Sequence, residues 1–140
     1  MYLKKPWLGD YKTTSPFGMR KHPITGKEKL HNGIDKAMPE GTKLFAPING
    51  ICYIGNEPKG YGNYVLLNAT TEQNTKIQLL FAHLSKILVK DGQSVIFNEE
   101  IALSGNTGAS TGAHLHLGLA IYNFSQEQYL YVDPKNLIEV

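Results

Sequence analysis

Short apolar or alternating runs recur along the chain, cut at close intervals by glycine, proline and asparagine. They occupy residues 43–46, 50–54, 64–68, 75–83, 94–96, 100–104, 114–122 and 130–132, and each predicts a strand. Turn residues such as Asn49-Gly50, Pro58-Lys-Gly60 and Asp91-Gly92 separate them. Helical periodicity is scarce. Only residues 84–89, with Ser85 placed to cap them, predict a turn of helix. Strands this short and closely spaced predict a mainly β chain with a two-layer antiparallel sandwich or barrel-like core.

With 140 residues, 41% of them hydrophobic, the chain can bury one core without support from disulfides or partner chains. A single domain over residues 1–140 is expected, with about the first fourteen residues as an N-terminal extension. There are no internal repeats, low-complexity tracts or linkers. Cys52 is the only cysteine, which rules out an intramolecular disulfide. A net charge of +2 suits an anionic surface such as a cell wall and falls well short of a nucleic-acid-binding signature. No run has the length of a membrane span. The opening Met1-Tyr-Leu-Lys-Lys-Pro-Trp carries lysines but no apolar signal-peptide stretch, so delivery by a phage or excision from a longer protein is expected.

The candidate chemistry lies in the histidines. His114 and His116 stand two apart in a predicted strand, so their side chains share a face. Far upstream, His31 and Asp35 stand four apart, and His83 sits in the apolar run Leu79-Leu-Phe-Ala-His-Leu. A strand HxH alone is weak evidence of a metal, since such positions often carry histidine for packing. Four of the five histidines falling in segments of this kind is stronger. Two imidazoles and a carboxylate would supply three zinc ligands and leave a fourth position for water, the pattern of a catalytic site. From spacing alone, His114, His116 or both can be ligands. His22, beside Pro23, reads as a turn or surface histidine. The run Gly105-Asn-Thr-Gly-Ala-Ser-Thr-Gly112 lacks the Lys-Ser/Thr of a phosphate loop; it predicts a tight connection, with Ser110 or Thr111 able to hydrogen-bond a peptide. Tyr61 and Asn63 mark either a second groove wall or a simple hairpin turn.

Six segments in order carry a resemblance: Ser15-Pro-Phe-Gly-Met-Arg20, His31-x-x-x-Asp35, Ala46-Pro-Ile-Asn-Gly50, Gly60-Tyr-Gly-Asn-Tyr64, Ala82-His-Leu-Ser85, and Ser104 through His116. Together they resemble the lysostaphin-type (LytM-type) zinc metalloendopeptidases, which cut peptides of bacterial peptidoglycan. The resemblance implies two packed antiparallel sheets with an active-site groove between loop walls. It implies Zn2+ held by His31, Asp35 and His116, with His83 and His114 as catalytic, non-ligand histidines. It also implies a peptidoglycan peptide as substrate and action at the cell wall. The chain departs from the family pattern at two positions, Phe81 before Ala82-His83 in place of a tyrosine and Asn68 where a strand often ends in histidine; neither is a proposed ligand. Arg20-x-His22-Pro23 with Thr25-Gly26 is more similar to members that cut D-amino-acid bonds than to pentaglycine cutters. Two other classes share this pattern: a phage tail-associated component assembling with other phage or cell-wall proteins, and a catalytically silent regulator. The complete set of histidines and Asp35 counts against the regulator.

Overall fold

A computed structural model of the chain describes residues 2–21 and 26–140. Its strands are β1 (Thr13–Ser15), β2 (Gly18–Lys21), β3 (Glu28–His31), β4 (Ile34–Ala37), β5 (Lys43–Phe45), β6 (Gly50–Glu57) and β7 (Gly62–Thr70). They continue as β8 (Lys76–Leu84), β9 (Lys86–Ile87), β10 (Gln93–Val95), β11 (Glu100–Leu103), β12 (His114–Asn123) and β13 (Gln128–Val132). The strands form an eight-stranded antiparallel sheet in the order β1-β4-β12-β8-β7-β6-β10 with β13 on β12, a three-stranded sheet β5-β11-β9, and the ribbon β2-β3. No helix among the described residues is long and apolar enough to cross a membrane.

Strand β12 shows how the sequence pattern builds the large sheet. Its odd-numbered residues Leu115, Leu117 and Leu119 are fully buried and face the core, as period-two alternation requires. They meet Phe81, Leu79 and Ile77 of β8, Val65 and Leu67 of β7, and Leu44 and Ile101 of the smaller sheet in one hydrophobic cluster. Side chains of both sheets therefore share a core, as the short-strand pattern predicts. Leu3 and Trp7 belong to the same cluster, and Leu3 bridges in parallel to Ile138. Cys52 is buried, and burial pushes its thiol up to about 11.

All eight predicted strand segments are strands. The helical turn over residues 84–89 is not formed. Instead β9 pairs with β11, Ser85 N donates to Leu103 O at 3.0 Å, and Leu88 N donates to Ile101 O at 2.9 Å. Leu84 and Val89 are buried, so the segment's apolar residues are used in the core by pairing along β11. The Ser85 hydroxyl donates to Ser104 O at 2.7 Å rather than accepting from a helix N–H. Here distant backbone pairing outweighs a weak local helical tendency. Among the described residues the one helix is a 3-10 turn, Pro134–Asn136, capped by Asp133.

Replacing Leu117, which touches both layers' shared core, with alanine should lower unfolding stability by about 2–5 kcal/mol. Urea denaturation followed by far-UV circular dichroism should read this as a lower midpoint at unchanged slope; a shift below about 1 kcal/mol would contradict this packing.

Candidate metal centre and active site

The even-numbered face of β12 carries His114 and His116 away from the core. His116 stands directly opposite Asp35 of β4, so the two side chains emerge on one face side by side. Its Nδ1 lies 3.1 Å from Asp35 Oδ1. His31 ends β3, opposite Gly18 of β2, and brings Nε2 within 3.4 Å of the same carboxylate oxygen. His114 Nε2 is farther off, at 3.8 Å.

Two imidazole nitrogens and a carboxylate oxygen, all within 4.8 Å of one another, form the metal-capable group His31, Asp35 and His116. Zinc bonds of about 2.0–2.1 Å in a tetrahedron place ligand atoms roughly 3.3 Å apart. The two spacings to Asp35, 3.1 and 3.4 Å, match that figure. The donor set therefore fits a zinc ion. Burial tends to raise the Asp35 carboxyl, but hydrogen bonds from His116 and His31 outweigh it and hold the group well below the usual carboxylate range. Asp35 is thus an anion ready to offset a dication.

Backbone carbonyls fix the other histidines. His31 Nδ1 faces Pro16 O at 2.9 Å, His83 Nδ1 faces Thr107 O at 2.7 Å, and His114 Nδ1 faces Gly112 O at 2.8 Å. A carbonyl can only accept, so each Nδ1 donates to its carbonyl, which leaves Nε2 as the ring atom free to meet another group. His116 breaks the pattern. Its Nδ1 faces Asp35, while its Nε2 is buried without a partner against Gly33.

His83 reaches the site through a bulge. The β7–β8 register jumps between Asn63 opposite Leu84 and Val65 opposite Phe81, and His83 takes a left-handed φ of 62° there. Its N–H donates to Tyr61 O at 2.7 Å, outside the regular ladder. Bulges next to sites commonly re-aim a side chain in this way. The His83 ring stands 4.7 Å from His114, centroid to centroid. Burial lowers its pKa below that of an ordinary imidazole, more than the hydrogen bond to Thr107 raises it. The buried Phe81 packs into the core, and Asn68 keeps a buried Oδ1 without a partner.

A cleft of about 550 Å³ opens over these groups, walled by Ser110 and Thr111 on one side and Tyr61 on another. The Tyr61 ring tilts over His116 at 5.5 Å. Asn63 does not line the cleft; its amide donates to Leu84 O at 3.2 Å and ties the turn to β8. The glycine run is a tight connection, as its composition predicts, and two of its glycines, Gly105 and Gly108, serve close packing. A Cβ at Gly108 would fall 2.3 Å from Gly62 N, and one at Gly62 would fall 2.5 Å from the Thr107 carbonyl carbon. His22 lies outside the described residues.

The sequence offered no direct sign of Gly33 or of the three orienting carbonyls. Gly33 had one clue, its place between His31 and Asp35. A Cβ there would stand 2.6 Å from Leu117 O and 2.7 Å from His116 Nε2, so only glycine lets the His116 ring fit.

Residues 29–133 match peptidase family M23. The peptidoglycan DD-endopeptidase ShyA of Vibrio cholerae is 40% identical over 121 residues, which cover 86% of this chain and 27% of that protein. A zinc-containing peptidase from Vibrio cholerae has a similar structure, with a TM-score of 0.79 and 33% identity, over 94% of this chain and 39% of that one. The catalytic domain of the antimicrobial peptidase lysostaphin from Staphylococcus simulans matches with a TM-score of 0.70 and 33% identity, covering 89% of each chain. The chain spans between 24% and 34% of the length of the first curated relatives it matches.

Gly33→Ala should displace the His116 ring and weaken zinc affinity by roughly 10–100-fold, the scale of a lost supporting contact. Competition with a chromophoric chelator measures this; wild-type affinity in a folded Gly33→Ala protein would contradict the close fit at this position.

Proposed function

Since the chain belongs to peptidase family M23, we propose that it is a zinc-dependent endopeptidase that hydrolyses amide bonds in the peptides of peptidoglycan. One observation carries the reading: two imidazoles each stand at tetrahedral spacing from one ionised carboxylate on the floor of an open cleft. His31, Asp35 and His116 would hold the metal. A bound zinc ion would supply Lewis acidity, lowering the pKa of water towards neutrality and polarising a carbonyl.

His114 and His83 work beside the metal site, one moving a proton and the other orienting the water. Both direct Nε2 lone pairs away from their carbonyl anchors, so both enter the reaction as acceptors. His114, nearer the trio, takes the proton of the attacking water and returns it to the leaving amine nitrogen. His83, kept neutral by burial, accepts a hydrogen bond that orients the water. Once protonated, His114 also stabilises the charge that develops on the scissile carbonyl oxygen. Ser110 braces His114, with its hydroxyl 3.1 Å from Nδ1, and presents the loop along which an extended peptide lies.

Within the wall's peptides, a bond between D-amino acids is the favoured target, supported by relatives named as DD-endopeptidases. The place of action follows from the substrate: the cell wall.

Purified peptidoglycan treated with the zinc-loaded protein should release new amino termini without reducing sugar, read by mass spectrometry of the fragments. Release of reducing ends alone would refute the peptidase reading. His31→Ala, Asp35→Ala and His116→Ala should each lose zinc and activity together. His114→Ala and His83→Asn, the latter tolerant of the left-handed backbone, should keep about one zinc per chain and lose at least ~10²-fold in kcat. Loss of metal from His114→Ala as readily as from His116→Ala would overturn the division between holding and proton transfer.

A further inference from the structure

The ribbon β2-β3 sets two like charges face to face. Arg20 stands directly opposite Lys29, although the next pair, Lys21 opposite Glu28, is complementary. Directly opposed like charges on an antiparallel pair are destabilising. Among the described residues no carboxylate lies within salt-bridge distance of either cation. The Arg20 guanidinium donates to the Ser15 hydroxyl, which sits beside His31.

Both cations line the cleft, and Lys59 joins them from another wall. Lys29 is two residues before His31 on β3, so their side chains share a face about 7 Å apart along the strand. That distance corresponds to one or two residues of an extended peptide. A carboxylate there would bridge Arg20 and Lys29 and relieve their repulsion, with the guanidinium able to bind it in two-pronged fashion.

We infer that Arg20 and Lys29 form an anion subsite that binds a free carboxylate on the peptide, one or two residues from the scissile amide. The cleft thereby selects acidic peptides over neutral ones. This inference rests on the peptidase reading of the same cleft.

The test uses the zinc-loaded protein and one cross-linked stem-peptide dimer in two forms, with its side carboxylates free or converted to amides. Binding is measured by calorimetry at two salt concentrations, and cleavage by chromatography. The free-carboxylate form should bind at least ~10-fold tighter, about one charge-assisted hydrogen bond, and the margin should shrink at high salt. In Arg20→Gln/Lys29→Gln the preference should fall to within about twofold. Lys29→Glu should reverse the sign of the subsite and also raise Tm, because Arg20 gains an opposite charge across the ribbon. A merely structural role for Lys29 would not move stability up and carboxylate preference down together. Equal binding of both forms by the wild type, or an unchanged preference in the double variant, overturns the inference. If neither form is cut yet the carboxylate preference appears and depends on Arg20 and Lys29, the subsite stands and the peptidase reading falls.

Discussion

Slide β12 by one residue against β4, and Leu115 or Leu117 would stand opposite Asp35 in place of His116. The same slip would turn three fully buried leucines out of the core. Core and site are thus coupled through one register. Burying Leu115, Leu117 and Leu119, at about 25 cal/mol per Å² of apolar area, is what holds His116 against Asp35. The site needs no separate device to set its first pair of donors. It inherits them from the alternation of one strand, locked on its other edge by β8, whose Ala82 pairs with His116.

The remaining groups are fixed by loops leaning on that frame. Three imidazoles are oriented by carbonyls of Pro16, Thr107 and Gly112, none of which belongs to a strand. Loop carbonyls can do this only if the loops are themselves immobile. Ala109 N donates to Gly60 O at 2.8 Å, and Asn63 N donates to Thr107 Oγ1 at 3.1 Å, so the glycine-rich loop and the 57–62 turn clamp each other. Gly62 and Gly108, with φ of 64° and 77°, let the two backbones meet without an intervening side chain.

The long strands were legible because their alternation is strong. HxH on one face was legible for the same reason, and the segment order carried the family. What stayed hidden were β1 to β4 and β9, while β5, β10 and β11, equally short, were legible from apolar runs that extend past their ends. Ser85 looked like a helix cap because Ser, read locally, favours that role, while its actual partner lies nineteen residues on. The glycine run was legible as a tight connection, but the loops it packs against were not. Tautomers and orienting carbonyls are set by non-local contacts and have no signature in composition.

Local costs collect around the cleft. His83 sits in a left-handed conformation, worth about 1–3 kcal/mol for a non-glycine residue. His116 buries a ring nitrogen without a partner, and Arg20 faces Lys29. Away from the cleft, Trp7 Nε1 and, within β7, Asn68 Oδ1 are also buried without a partner. The apolar core of the large sheet offsets the strain that its cleft edge carries. Each departure at the cleft also presents something to a ligand: His83 its Nε2, Asp35 and His116 a donor pair, Arg20 and Lys29 a positive wall. A bound metal would join His116 Nδ1 to Asp35 and His31, and an anionic peptide would relieve Arg20 and Lys29, so occupancy and stability should rise together in this fold.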